Sequence, residues 1–231
     1  MAFELNGKIY DITETQDRKW TFKWGDRDIY FTRKFSNLDY PEFDSAYQII
    51  ETFFLRVYSS LFVKDKVVVD IGAAIGDTAI YFALKGAKQV ISVDVDPIII
   101  GYAKQNVALN HLEDKVILIN AACGGGFNRP KVHPSITLSE IVEKYQIPYG
   151  SALKVDCEGG EYDIIVESEG EAIKHFSDII MEYHLGPREM PKILEKLGFV
   201  VDYDEVQSSN TVTFLSSGIT QILGYLRARL P

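Results

Sequence analysis

The chain is poor in what would tie it to a membrane, a metal or an oxidising compartment. It has two cysteines, Cys123 and Cys157, among 231 residues. Their spacing fits neither a disulfide framework nor a metal site, so they read as buried free thiols in reducing surroundings, and a cytoplasmic location is expected. No long apolar run is present. The longest apolar-rich stretch, Ala46 to Val63, is broken by Gln48, Glu51 and Arg56, and its apolar residues recur at helical spacing. It reads as an amphipathic core helix and not as a membrane span. The opening MAFELNGKIY has no basic segment leading into an apolar one, so no signal peptide is read. Positive charge is in deficit. Lys and Arg number 24 against 33 Asp and Glu, for a formal net charge of -9. An acidic surface repels phosphate backbones and anionic lipid, so neither nucleic acid nor a membrane is expected as a partner. Homo-oligomerisation is left open.

What is present is ordinary globular sequence, 46% apolar and 25% charged, long enough for one sizeable core. Asn6-Gly7 and Gly25-Asp26 are hairpin turn signals between segments rich in Phe, Tyr, Trp and Ile. Pro41 follows, then a helix expected over about Phe43 to Leu61. From Lys66 the pattern changes to short apolar strands alternating with helices. Strands are expected at Val67–Val69, Val90–Val93, Val116–Ile119, Leu153–Val155 and Ile179–Met181. Helices are expected over Asp77–Lys85, Ile98–Leu109, Leu138–Tyr145 and, for the most part, Ile164–His175. Such alternation predicts a doubly wound α/β fold on a parallel sheet. Near the end, a helix over Met190–Leu197 closes at Gly198. Phe199–Tyr203 and Thr211–Leu215 read as an antiparallel hairpin, and Ile219–Arg229 as a final amphipathic helix. The expected division is an N-terminal β/α extension over 1–62 and a main domain over 63–231.

One segment carries the sharpest signal: Val67-Val68-Val69-Asp70-Ile71-Gly72-Ala73-Ala74-Ile75-Gly76-Asp77-Thr78. It joins a buried strand to a helix. Gly72 and Gly76 let the backbone turn tightly and approach a ligand, and the helix start presents free N–H groups to an anionic group such as a carboxylate. Asp70, at the strand end, can accept a hydrogen bond from an ammonium. Asp94 closes the next strand in Val93-Asp94-Val95-Asp96-Pro97, where an acidic side chain grips ribose hydroxyls in doubly wound folds. A tight βα turn with Asp94 as a helix cap is the plainer alternative. A dinucleotide site expects G-x-G-x-x-G and this loop has G-x-x-x-G; a phosphate-binding P-loop would need Lys followed by Ser or Thr. After the third strand, Cys123-Gly124-Gly125-Gly126 reads either as part of a pocket in which Asn120 and Ala121 contact a bound ring, or as a plain flexible loop.

The second signal is Leu153-Lys154-Val155-Asp156-Cys157-Glu158-Gly159-Gly160-Glu161-Tyr162. It sets carboxylates at the carboxyl end of the fourth strand, the edge that faces the ligand crevice in open α/β sheets. Asp156 and Glu158 share one face of an extended chain. Glu161 lies in a first helical turn, where negative charge is favoured, so a capping role is expected for it. Three readings stay open for the cluster. A carboxylate or His184 acts as a base; or Asp156, Glu158, Glu182 and His184 hold magnesium or manganese; or these residues only order loops.

Asp70 to Thr78 resembles the first motif of class I methyltransferases, particularly the FkbM type, whose loop commonly reads D-I-G-A-N-x-G; Ala74 stands here in place of the Asn. The second segment resembles that family's L-K-x-D-x-E-G-x-E, and Ile179-Ile180-Met181-Glu182-Tyr183-His184 its fifth strand. Asn106 and Asn110 fit the family's helix and turn after the second strand. The likeness covers residues 66 to 200. It implies a three-layer α/β/α Rossmann-like fold whose seven-stranded, mostly parallel sheet ends in an antiparallel hairpin. It implies S-adenosylmethionine as cofactor, held by Asp70, Gly72, Ala73, Gly76, Asp77, Thr78, Asp94, Val95, Asn120, Ala121 and Asp156, with Asp156, Glu158 and His184 as catalytic residues. The implied reaction is O-methylation of a hydroxyl on a small molecule or glycan. An RNA methyltransferase, an NAD-linked oxidoreductase and a non-catalytic S-adenosylmethionine-binding module are the alternatives.

Overall fold

Alternation of aromatic and polar residues at the start of the chain builds small antiparallel sheets. β1 (Phe3–Leu5) pairs with β2 (Lys8–Tyr10), and β3 (Thr13–Glu14), β4 (Lys19–Trp24) and β5 (Arg27–Thr32) form a three-stranded sheet. The computed structural model describes residues 3–5, 7–32, 45–124, 134–167, 171–204, 211–214 and 219–231. Asn6, Pro41 and the expected helix start at Phe43 lie outside the described residues. Trp20, Phe22, Ile29 and Phe31 turn to one face of the three-stranded sheet and are buried, as period-2 patterning requires.

That face packs on the helix that follows. α1 (Ala46–Ile49) runs on as a π-helical segment, Ile50–Leu55, and stops at Arg56, which takes φ +57°. The helix therefore ends before the expected Leu61. Phe53 fills the joint: its ring lies 5.0 Å from Phe22, 5.3 Å from Trp24 and 5.4 Å from Tyr81, all edge to face. Such pairs add to the stabilisation from burial alone.

The main sheet has seven strands: β6 (Val67–Ile71), β7 (Gln89–Asp94), β8 (Val116–Asn120), β11 (Ser151–Val155), β12 (Phe176–Tyr183), β13 (Val200–Tyr203) and β16 (Gly224–Arg229). Their order is β13-β16-β12-β11-β6-β7-β8, parallel from β12 to β8, with β16 antiparallel to both neighbours. β9 (Ala122–Cys123) and β10 (Ser135–Ile136) form a short parallel pair beside it. Every residue of β6 is buried, as expected for a central strand covered on both faces. Val68, Val90, Ala152 and Ile180 face one apolar cluster, with α1, α2 (Asp77–Leu84), α3 (Pro97–Leu109) and the N-terminal sheet. Val69, Ile91, Leu153 and Ile179 face the other, with α4 (Leu138–Lys144), α5 (Glu161–Glu167) and α6 (Met190–Lys196). The result is the three-layer α/β/α fold. The segment expected as helix over Ile164–His175 is split: α5 ends at Glu167, a short 3-10 turn covers Ile173–His175, and 168–170 lie outside the described residues.

The end of the chain departs from expectation. Thr211–Phe214 (β14) pairs not with β13 but with Ile219–Ile222 (β15), as a separate ribbon. The antiparallel strand of the main sheet is β16, cut from the segment expected to be an amphipathic helix. Within it Gly224, Leu226 and Ala228 are buried while Tyr225, Arg227 and Arg229 face the other way. Apolar residues here satisfy both a helical and a strand period, and pairing on two sides decides between them. A helix would leave the edges of β12 and β13 unpaired.

Leu226 is fully buried in this strand. Leu226→Ala should lower the unfolding free energy by about 2–4 kcal/mol in denaturant titration, and the Arg227 and Ala228 amides should be among the slowest to exchange with deuterium. Fast exchange there would restore the helix.

Candidate functional site

The carboxyl ends of β6, β7, β11 and β12 open into one crevice of about 570 Å³, closed on one side by α1. β6 delivers the loop that floors it. Gly72 takes φ +84°, and a Cβ there would sit 1.6 Å from the Asp156 carbonyl oxygen. The loop from β6 and the end of β11 are therefore in contact only because residue 72 has no side chain. Gly76, φ +83°, lets the start of α2 close on Ala103 of α3. Ala74, which stands where the resembling family has Asn, is left-handed at φ +41°. Asn adopts that conformation at lower cost, and here the amide of Ala74 is anchored by the Asp94 carboxylate at 2.9 Å.

The residues expected to bind cofactor divide into two groups. Gly72, Asp94, Val95, Ala121 and Asp156 line the crevice. Asp94 also accepts from the Asp96 amide, so each of its oxygens takes one backbone N–H and keeps lone pairs free. Burial pushes its carboxyl up from the ordinary value. The second group lies beneath the crevice. The ammonium that Asp70 meets is that of Lys154, 3.3 Å away, and its other oxygen accepts from Thr78 and Ser92 at 2.9 Å. Asp77 is buried and accepts from Thr52 at 2.5 Å; burial lifts its carboxyl to about 7. Ala73 is fully buried. Asn120 donates to the carbonyls of Asp94 and Val95, fixing the end of β7.

The carboxylate cluster converges as its spacing implies. Asp156, Glu158, Glu182 and His184 all line the crevice. His184 Nδ1 donates to Glu161 at 2.9 Å, and its Nε2 faces Asp156 at 3.8 Å and Glu158 at 3.6 Å. Burial alone would lower the imidazole, but the Glu161 hydrogen bond and the charges of Glu161, Glu158 and Asp156 outweigh it and raise it to about 9. At neutral pH it is an imidazolium and a donor, not a free base. Glu161 does more than cap a helix: the same oxygen accepts from the Cys157 and Gly159 amides and so shapes the turn on which Glu158 sits at φ +56°. Among the described residues no set of three or more His, Cys, Asp and Glu is arranged to hold a metal ion. Cys123 and Cys157 form no disulfide and are half-buried, less enclosed than expected.

Four residues to which the sequence assigned no role, Glu51, Tyr58, Lys154 and Gln48, complete the site, together with Glu182, expected there only as a candidate metal ligand. Glu51 lines the crevice from the π-helical segment; burial, then the charges of Asp156 and Asp77, lift its carboxyl to about 7. Glu182 reaches about 7 by burial and the charges of Asp156 and Glu51, and accepts from the Tyr225 hydroxyl at 3.1 Å. Tyr58 donates to Asp156 at 2.7 Å, and Lys154 lies 3.7 Å from Asp156. Gln48 also lines the crevice, with a buried Oε1 that has no hydrogen-bond partner among the described residues. A signal existed: Gln48 and Glu51 are the polar breaks, three residues apart, in an otherwise apolar stretch.

Known proteins bear out this fold. The TRM5/TYW2 methyltransferase domain matches residues 56–139, which include the Gly72 loop and Asp94, and the methyltransferase FkbM domain matches 124–201, which include the carboxylate cluster. The FkbM likeness therefore holds for the second motif, while the loop motif belongs to a match with another methyltransferase domain. Ribosomal protein L11 methyltransferase of Carboxydothermus hydrogenoformans is 42% identical over 64 residues, 28% of this chain and 21% of that protein. The chain thus aligns with about a fifth of that relative's length. M. capricolum TrmK, solved with S-adenosyl-homocysteine, superposes with TM-score 0.53 at 14% identity over 77% of this chain and 67% of that one. The complex of aTrm5 with tRNALeu superposes with TM-score 0.50 at 16% identity, over 93% and 53%. Two methyltransferase domain models thus match successive parts of the chain, and its fold is that of solved methyltransferases. The expectation that nucleic acid is no partner is withdrawn. It rested on an average charge, and a protein of this same fold is solved with tRNA bound. Among the described residues no helix is long and apolar enough to cross a membrane.

The His184–Glu161 pair should be visible in solution. His184 should titrate near 9 by nuclear magnetic resonance. Since its folded value lies above the ordinary 6.5, its contribution to stability is complete below pH 6.5 and is lost as pH rises through 9. The stability gap between the protein and His184→Asn should narrow over that interval; a gap constant from pH 6 to 10 would remove the charged pair.

Proposed function

We propose that the chain transfers a methyl group from S-adenosylmethionine, and that its acceptor is an RNA. The observation that carries the cofactor is the charge of the crevice. Glu51, Asp94, Asp156, Glu158 and Glu182 all line it. A ligand with a sulfonium and an ammonium is attracted by such walls, and the pyrophosphate of a dinucleotide is repelled. Asp94 has lone pairs free for ribose hydroxyls, and Gln48 Oε1 is a buried acceptor without a partner among the described residues, suited to an ammonium. The group these residues would hold supplies an electrophilic methyl on a sulfonium.

The protein's own contribution is alignment and a proton acceptor. Glu51 and Glu182, with carboxyls near 7, are half ionised at neutral pH and can take a proton from an acceptor N–H or O–H. Tyr225 steadies Glu182 and Tyr58 steadies Asp156. His184, as an imidazolium, orients Asp156 and Glu158. The role of base, open between a carboxylate and His184 in the sequence, thus falls to the two glutamates. The RNA acceptor is supported by the TRM5/TYW2 domain match over the cofactor loop and by the likeness to tRNA-bound aTrm5. A second reading, O-methylation of a small-molecule or glycan hydroxyl, is favoured by one observation: the FkbM match covers Asp156, Glu158 and His184.

Calorimetry should show S-adenosylmethionine or S-adenosylhomocysteine binding, with NAD far weaker, and Asp94→Ala should weaken the former by about 1–3 kcal/mol. Tighter NAD binding would overturn the cofactor reading. With labelled S-adenosylmethionine, label should pass to an unmodified tRNA pool; label on glycans or small hydroxyl compounds alone would establish the second reading. The rate should rise with pH through about 7 and fall near 9, as His184 loses its proton. Glu182→Gln should cut kcat by roughly a hundredfold or more, and a profile flat from pH 6 to 10 would exclude both glutamates.

A further inference from the structure

A second cavity, of about 660 Å³, lies at the opposite edge of the main sheet. Its walls come from the amino-terminal ends of the strands: Lys64 and Lys66 precede β6, Ser177 and Asp178 begin β12, Arg229 ends the antiparallel β16, and Lys85 ends α2. At ~3.3 Å per residue, β6 alone separates this edge from the cofactor crevice by about 16 Å. The two cavities share no lining residue.

The charge of this cavity is opposite to that of the chain. Four cations, Lys64, Lys66, Lys85 and Arg229, meet one carboxylate, Asp178, among the lining residues. This concentration occurs in a protein of net charge -9. Asp178 is already shared: it accepts from Arg229 Nε at 3.1 Å and from the Phe62 amide at 3.2 Å. Lys66 donates to the Ser177 hydroxyl at 2.8 Å and Lys85 to the Ser59 carbonyl at 3.3 Å, so both ammonium groups are held by neutral oxygens. Burial, with added repulsion from Arg229, sets Lys66 below the ordinary lysine value despite Asp178; burial and Arg56 do the same to Lys85. Half-buried cations left short of counter-charge call for an anion. Ser177 already donates to the Gly150 carbonyl at 3.0 Å, which leaves Ser59 and Ser60 to add hydroxyls, and a guanidinium with ammonium groups and hydroxyls is a set that suits phosphate oxygens.

We propose that this cavity binds a phosphate group, through Lys66, Lys85 and Arg229. The phosphate comes either from an RNA backbone or from a free phosphate ester. The site stands apart from the methyl-transfer reading, since none of its residues lines the crevice. On the RNA reading it also places the polyanion's charge away from the acidic walls where methyl transfer is assigned.

Lys66→Gln/Lys85→Gln tests it with two probes, inorganic phosphate by calorimetry and an unmodified tRNA transcript by fluorescence anisotropy across a salt series. S-adenosylhomocysteine affinity and the melting temperature serve as controls and should not change, which separates this site from the crevice. The full chain should bind at least one probe, and the double variant should bind that probe about tenfold or more weakly. Loss on tRNA with a shallower salt dependence assigns the phosphate to an RNA backbone; loss on inorganic phosphate alone assigns it to a free ester. Binding of neither probe by the unaltered chain, or equal binding by the double variant, overturns the proposal.

Discussion

The ammonium of Lys154 is buried between the ends of β6 and β11, and it holds together everything that borders the crevice. It lies 3.3 Å from Asp70 and 3.7 Å from Asp156, and donates to the Gly72 carbonyl at 2.6 Å. One charge thus ties a strand end, the loop that follows it and the end of the neighbouring strand. Burial would strip the proton from a lone lysine, but Asp70, Asp156 and Asp77 outweigh that and hold its affinity above the ordinary value. Removing one partner of such a pair leaves an uncompensated charge, so the unit stands or falls together. Its consequence is electrical. Lys154 neutralises the floor beneath Asp156, which lets further carboxylates gather above it.

Those carboxylates come from distant parts of the chain. Glu51 arrives from the helix after the N-terminal sheet, and that helix is positioned by aromatic packing through Phe53. The sheet is itself tied to the Gly72 loop by α3. Asn106 accepts from the Thr32 amide and donates to the Ile75 carbonyl, while Asn110 accepts from the Tyr30 amide and donates to the Tyr30 carbonyl. Two asparagines one helical turn apart thus act as a further pairing partner for the edge of β5 and reach the loop as well. The N-terminal segment is in this way part of the site's framework, and it contributes a wall and a titrating group that the α/β core lacks.

Charge is segregated along the strand direction. Acidic groups crowd the carboxyl edge of the sheet and basic groups line a cavity at the amino edge. A net charge of -9 averages over this separation and so is no argument against a nucleic-acid partner. A chain can repel a polyanion overall and still present a local cationic pocket, because in salt the field of exposed charges fades within about 10 Å.

The sequence by itself determined the central strands, the glycine turn, Asp94 at the end of β7 and the convergence of Asp156, Glu158, Glu182 and His184. Each of these is local. A buried parallel strand needs an apolar run, its exit needs a residue free to take positive φ, and strand ends of a doubly wound sheet share one edge. Tertiary structure alone decided the rest. Asp70 and Lys154 read separately as a ligand for an ammonium and an unassigned lysine, and they are each other's partner because β6 and β11 lie side by side. His184 became an imidazolium because Glu161 packs against it, and Glu51 became a crevice residue because an aromatic joint turns its helix inward. The segment 219–229 carries apolar residues at both helical and strand spacing. Only the open backbone edges of β12 and β13, which the segment itself cannot foresee, make part of it a strand.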